Sequence, residues 1–260
     1  MNGTVIIVPC YNEAARIDTE RFAAFAAGEG AALLFVDDGS TDATRRVLEA
    51  LAARAPDSMR VLGLDRNGGK ANAVRAGALA AIGKGAAFVG YWDADLSTPL
   101  TQLPRFRGVL DAHPALLGVL GSRVRMLGTH IERSGVRHYA GRVFATVASV
   151  VLRLAVYDTQ CGAKLFRVSP TLRAALAAPF RSRWAFDVEL LARMDVASRS
   201  AGGRPIGDLV VELPLEEWRH VGGSKLKPTA MVQATLELLA MRGNAARDVQ
   251  KSRGAEEPRG

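Results

Sequence analysis

Short apolar runs alternate with helical stretches through residues 4–92, and this alternation limits the fold more than any other feature. Thr4-Val5-Ile6-Ile7-Val8-Pro9 is a β-branched run ended by proline. Ala31 to Val36, Val61 to Leu64 and Ala86 to Trp92 are further apolar runs bounded by turn formers. Runs of this length and composition read as buried strands. Between them, residues 14–28, a stretch ending near Arg54, and residues 71–82 read as helices. Phe22 and Phe25 face inward on the first, and Ser40 or Thr41 can cap the second. Strands alternating with helices predict an α/β fold, a three-layer sandwich around a mostly parallel sheet. With 260 residues, 48% of them hydrophobic, the chain can fill one large domain or two small ones.

In open parallel sheets, ligands sit at the carboxyl ends of the strands. Four polar loops lie at those ends: Pro9-Cys10-Tyr11-Asn12-Glu13, Asp37-Asp38-Gly39-Ser40, Gly68-Gly69-Lys70 and Asp93-Ala94-Asp95. Their chemistry suits a nucleotide. A carboxylate accepts from base N–H groups or ribose hydroxyls, and a lysine after two glycines can reach a phosphate. Asp93 and Asp95, one residue apart at a strand end, can hold a hard divalent cation against a diphosphate. Solvated acids in a turn are the plainer reading of Asp-x-Asp alone. No Gly-x-Gly-x-x-Gly follows the first strand, which argues against a dinucleotide fold, and no Gly-x-x-x-x-Gly-Lys-[Ser/Thr] loop occurs.

The second half is looser. A helix is expected over 101–112, a strand from Leu116 to Gly121, a return to the sheet edge over 157–168, and a helix from Arg181 to Met194. A late strand at 209–215 and a last helix at 228–242 follow, and the polar tail from about 243 to 260 is expected to be disordered. Charge divides unevenly. Residues 1–120 hold 12 Lys+Arg and 13 Asp+Glu, whereas residues 121–260 hold 22 and 13, a net of +9. Such an excess suits nucleic acid, anionic lipid or a phosphorylated substrate. Residues 123–142 carry five arginines and join the uncharged run 143–152, a pattern that fits either a membrane-interface helix or a buried helix beside a solvated arginine face. No run reaches the ~18 apolar residues of a membrane span. No signal peptide is expected at the start, and Cys10 and Cys161 have no Cys-x-x-Cys context, so a reducing, cytoplasmic setting fits.

Taken together, Val-Pro-Cys-Tyr-Asn-Glu, Val-Asp-Asp-Gly-Ser-Thr-Asp, Asn-Gly-Gly-Lys-Ala-Asn-Ala-Val-Arg-Ala-Gly and Asp-Ala-Asp-Leu-Ser resemble the family 2 inverting glycosyltransferases. Asp158 to Phe166, Arg183 to Leu191 and Gly223-Ser224-Lys225-Leu226 look like the dolichyl-phosphate β-glucosyltransferase branch, with the dolichyl-phosphate mannose synthases close by. The resemblance covers roughly residues 3–240. It implies a Rossmann-like GT-A fold in one domain over 1–242, with a nucleotide-sugar half to about 120 and an acceptor half beyond. It implies that Pro9, Tyr11, Glu13, Val36 and Asp38 surround base and ribose. Lys70, Asp93, Ala94 and Arg123 would complete the donor site, and Asp95 would be the protein ligand of Mg²⁺ or Mn²⁺. Gln160, Lys164, Trp218, Arg219, Ser224 and Lys225 would serve the acceptor and its phosphate, with Arg219 and Lys225 also gripping leaving-group charge. Ser97 stands where mannose synthases tend to carry a glutamine ligand, and the membrane helices of many relatives are not matched.

The resemblance thus implies metal-dependent, inverting hexose transfer, with UDP-glucose as donor and a polyprenyl or dolichyl phosphate as acceptor. The enzyme would sit peripherally on the cytoplasmic face of a membrane. GDP-mannose is the alternative donor. A glycan hydroxyl is the alternative acceptor, and it would require a base. Asp187 is the best candidate for base or orienting residue, and equally an acid favoured at a helix N-terminus. Trp218 could wall the sugar pocket or belong to the core. Nucleic-acid binding is disfavoured because the aromatic-basic signatures of RNA modules are absent.

Overall fold

Both faces of the first strand are apolar, which places it inside a sandwich. In the computed structural model, which describes residues 3–28, 30–131, 156–182, 185–219 and 221, β1 spans Thr4–Cys10. Val5 and Ile7 point into one core, and Ile6 and Val8 into the other. Helix α1 (Thr19–Ala26), β2 (Ala31–Asp37), α2 (Thr44–Ala53), β3 (Met59–Gly63), α3 (Lys70–Gly83) and β4 (Phe88–Trp92) follow. Then come α4 (Leu103–Ala112), β5 (Gly118–Ser122), β6 (His130–Ile131) and β7 (Ala163–Arg167). The described chain closes with α5 (Pro170–Leu176), α6 (Phe186–Ser200), β8 (Val210–Pro214) and β9 (Glu217–Trp218). One seven-stranded sheet runs β3-β2-β1-β4-β7-β5-β8, and β6 pairs with β9 apart from it. Helices α1, α2 and α4 cover one face, and α3, α5 and α6 the other.

The expected mostly parallel, GT-A-type sandwich is what forms, with one reversal. Strand β7 runs antiparallel to both β4 and β5. Residues 157–168 were expected at the sheet edge, yet β7 lies inside it, with Leu165 and Phe166 buried on opposite faces.

Three helices start later than their patterns suggest, each because other hydrogen bonds hold the preceding segment first. The Glu13 carbonyl accepts from the N–H groups of Arg16 and Ile17, so residues 13–17 form a turn, and Asp18 caps α1. Ser40 does not cap α2; its hydroxyl accepts from the Asn12 N–H at 3.1 Å, while Asp42 accepts from Thr44 N–H at 2.9 Å. Glu189 takes the N–H groups of Arg181 and Ser182, which keeps them outside α6. The helix expected at 228–242, the apolar run 143–152 and the tail lie outside the described residues. Among the described residues no helix is long and apolar enough to cross a membrane.

Candidate active site

Strands β1, β2 and β4 are parallel, so their trailing loops emerge together at one end of the sheet. Because β7 is reversed, its leading segment, residues 156–162, opens at that same end. Asp93 follows β4 directly, and its N–H donates to the Gly162 carbonyl at 3.0 Å. Thus one site draws on strand ends from the first half and a strand start from the second.

Asp38 ties the nucleotide-type loops together. Its carboxylate accepts from Gly68 N–H at 2.9 Å and Gly69 N–H at 2.7 Å, and it is 2% exposed. It therefore sets the loop that leads to Lys70. Gly39 has φ +66, and a Cβ there would overlap the backbone of Arg66 and Asn67, so only glycine fits this turn. Asn12, with φ +53, accepts from Thr41 N–H at 2.9 Å, which links the first loop to the second. Glu13 is held by Arg16 in an ion pair of 2.8 Å. Pro9 and Tyr11 lie half-buried on the same rim. Two expected donor contacts need correction. The Val36 side chain is wholly buried beneath α3, and Ala94 is buried in the opposite core, so neither offers a side chain to a ligand.

Asp93 and Lys70 form a direct, half-exposed ion pair. Burial opposes the lysine's charge, but Asp93, with Asp187 and Asp95 behind it, holds the ammonium above its ordinary value. Asp95 is half-buried, and its Oδ1 accepts from Ser97 N–H at 2.9 Å. Between them, Leu96 is forced to φ +51, a costly conformation for a leucine. That strain turns the loop back on itself and is compensated where Trp92 Nε1 donates to the Thr98 carbonyl at 2.8 Å. Among the described residues no cluster of three or more His, Cys, Asp or Glu side chains could cage a metal alone. One oxygen ligand backed by a second acid two residues away does fit Mg²⁺ or Mn²⁺ shared with diphosphate oxygens.

Gly162 matters to this arrangement by what it lacks. A Cβ there would overlap the Asp93 carboxylate. We expect Gly162→Ala to displace Asp93 from Lys70 and to lower turnover by roughly 10²-fold, the effect of a misplacement of about 1 Å in a positioned group. Steady-state kinetics beside a thermal melt checks this; an unchanged rate would detach Asp93 from the chemistry.

On the opposite wall, Arg123 grips Asp158 through two bonds of 2.6 and 2.7 Å. Burial opposes that charge too, but Asp158 more than offsets it and holds the guanidinium above its ordinary range. Glu212 of β8 accepts from the N–H groups of Tyr157 and Asp158, both at 2.7 Å, and fixes the turn. Arg123 also lies over the Trp218 ring at 5.4 Å, and that ring packs partly buried against the core. Gln160 is half-buried on this turn.

Lys164 is a further correction. Expected to bind phosphate, it is 1% exposed. Its Nζ donates to the carbonyls of Thr159 at 2.9 Å and Cys161 at 2.6 Å, and lies 3.0 Å from Asp187 Oδ1 outside hydrogen-bonding geometry. Burial lowers the Lys164 ammonium to about 8 and raises the Asp187 carboxyl to about 8; the Lys70 charge adds to the first shift and resists the second. Arg219 reaches the acid loop by its backbone, donating to the Ser97 carbonyl at 2.9 Å, while its exposed side chain pairs with Glu217 at 2.8 Å. Ser224 and Lys225 lie outside the described residues. Both thiols, Cys10 and Cys161, are buried, and burial raises them above their ordinary value, so they pack rather than react.

Sequence reasoning had no signal for Asp158 as a clamp on Arg123, for Glu212 as the anchor of that turn, or for Gly162 as the space Asp93 needs. All three depend on the reversed strand.

A three-layer sheet with an acid pair and nucleotide-type loops at one end defines a GT-A glycosyltransferase. Residues 5–172 match the family described as glycosyl transferase family 2, and the chain belongs to it. A dolichyl-phosphate beta-glucosyltransferase of Drosophila melanogaster is 31% identical over 238 residues, spanning 86% of this chain and 69% of that protein. One from Dictyostelium discoideum is 29% identical over 258 residues, 91% of this chain and 73% of the relative. Among solved structures, glucosyl-3-phosphoglycerate synthase from Mycobacterium tuberculosis, in complex with Mn²⁺, UDP-glucose and phosphoglyceric acid, superposes with a TM-score of 0.63 at 20% identity, covering 93% of this chain and 80% of that one. At that identity the likeness shows the fold alone.

Proposed function

We propose that this enzyme transfers glucose, with inversion, from UDP-glucose to a polyprenyl phosphate of the dolichyl type. The observation that carries the reading is the state of Asp187. It is the carboxyl best placed by sequence to act as a base, yet burial raises it to about 8 and Lys164 stands against it. Only 5% exposed and with Lys164 Nζ 3.0 Å from its Oδ1, it is poorly placed to take a proton from a hydroxyl. A phosphate acceptor needs no base, because a monoester with a second pKa of about 6 is already largely dianionic. The names of the relatives, and the UDP-glucose complex of the structural neighbour, support the same choice.

In this reading a phosphate oxygen attacks the anomeric carbon from the face opposite the UDP oxygen, and the bond to UDP breaks as the new one forms. Asp95 would hold Mg²⁺ or Mn²⁺, which when bound neutralises charge on the departing diphosphate. Lys70 supplies a fixed positive charge beside Asp93, and Asp93 orients the sugar side of the donor. Arg219, pinned by its backbone to the acid loop, exchanges Glu217 for phosphate oxygen, with Ser224 and Lys225 following it in the chain. The enzyme works at the cytoplasmic surface of a membrane, where such acceptors expose their phosphate.

The test is a screen of UDP-glucose against GDP-mannose and other donors, with polyprenyl phosphate, polyprenol and free sugars as acceptors. UDP-glucose with polyprenyl phosphate is expected to be the productive pair, and Asp187→Asn is expected to cost less than about tenfold, because in this reading Asp187 takes no proton from the acceptor. An enzyme that glucosylates a hydroxyl and loses its activity with Asp187→Asn would reverse the assignment.

A further inference from the structure

The chain leaves the site at Arg123 and turns back at Met126-Leu127-Gly128-Thr129 before β6. At this turn Leu127 is 104% exposed and Met126 52%; the other exposed large apolar side chains among the described residues, Leu79 and Val221, reach 37%. Two adjacent apolar side chains held out in water need a partner, and we propose that this turn is a tip that inserts into an anionic bilayer surface and seats the rim of the site on it. The proposal rests on the lipid-phosphate reading above.

The turn is built rather than loose. The Met126 N–H donates to the Thr129 hydroxyl at 3.0 Å, that hydroxyl donates to the Met126 carbonyl at 2.8 Å, and the Thr129 N–H donates to the same carbonyl at 3.2 Å. Gly128 at φ +83 closes it. The backbone groups of Met126 are thus satisfied internally, which an apolar medium demands. Within residues 123–131 the formal charge is positive, from Arg123 and Arg125. Arg125 and His130 are exposed beside it, and no acid occurs from residue 112 to 131. The two acids facing β6 from across the small sheet are already engaged, Glu216 with Arg105 at 3.2 Å and Glu217 with Arg219 at 2.8 Å.

Placement supplies the remaining argument. From Arg123 to Leu127 the chain can span at most about 14 Å. An apolar anchor of an interfacial protein sits roughly 5–10 Å into the headgroup and acyl boundary. A tip at that depth leaves Arg123 and its neighbours at the headgroup level, where the phosphate of a lipid acceptor lies.

Flotation with phosphatidylcholine vesicles, with and without phosphatidylglycerol, tests the proposal directly. The unaltered protein should float with the anionic vesicles, and Leu127→Asp should weaken that binding at least roughly tenfold, the factor that burial of one leucine side chain accounts for. In Leu127→Trp the indole emission should shift to the blue on vesicle binding and be quenched by brominated acyl chains. Equal flotation of Leu127→Asp, an indole that stays in water, or binding indifferent to phosphatidylglycerol would each overturn the proposal. With a short, water-soluble prenyl phosphate, Leu127→Asp should turn over normally, and with a long-chain acceptor in vesicles it should be slow. If even the unaltered protein glucosylates neither acceptor, the acceptor assignment fails, while flotation and fluorescence still decide the tip.

Discussion

Asp95→Ala is expected to lower transfer about 10²–10³-fold, the scale on which removing one stabiliser of developing charge acts, and to leave the fold in place. Asp95 stands half-buried at the strand end, and among the described residues its side chain accepts one hydrogen bond, from the Ser97 N–H. Losing that bond costs about 1 kcal/mol, small against the stability of a domain of this size. If it holds the cation as proposed, no described acid replaces it at the strand end, since Asp93 is already bound to Lys70. The measurement is initial rate against Mn²⁺ concentration, beside circular dichroism of the variant. Near-normal rates in the presence of a chelator would remove the metal from the chemistry and Asp95 from the site.

Arg193→Met should cost about 3–5 kcal/mol, the penalty for breaking a buried ion pair by removing one partner. Arg193 is 1% exposed and meets Glu189 at 2.5 Å. Its guanidinium also donates to the carbonyls of Ala178 at 2.7 Å and Pro179 at 2.8 Å, which belong to the segment between α5 and α6. Removing it strands a buried carboxylate and those carbonyls together. Lysine should not restore the loss, because a single ammonium cannot reproduce the planar fork. Urea unfolding gives the answer; a midpoint within error of the unaltered protein would mean that Glu189 is neutralised or hydrated in place. The segment at stake leads directly to Asp187, so activity should fall with stability.

The first half of this molecule was readable because its signals are local. Alternating β-branched runs and Ala-rich helices set β1 to β4 and α1 to α3, and Gly39, Gly68-Gly69 and Asp93-Ala94-Asp95 mark the loops between them. Errors arose where a distant partner decided the outcome. Val36 and Ala94 sit beside polar motifs, yet the pleat of β2 turns the first, and the turn after β4 the second, into the cores. Lys164 follows Gln160-Cys161-Gly162 as though aimed at a ligand, but its carbonyl partners and Asp187 hold it inside. Glu189 delays α6 by taking two N–H groups from residues seven and eight positions earlier, which no propensity scale registers.

Strand β7 carries a mechanical consequence. It is hydrogen-bonded on one side to β4, which bears the acid loop, and on the other to β5, which ends just before Arg123. The acid loop and the Arg123 segment are therefore stitched through a common strand. Opening them like the covers of a book would tear two ladders at once. The rate of turnover is therefore expected to respond to substitutions in the loops outside the main sheet far more than to any that stiffen the floor beneath.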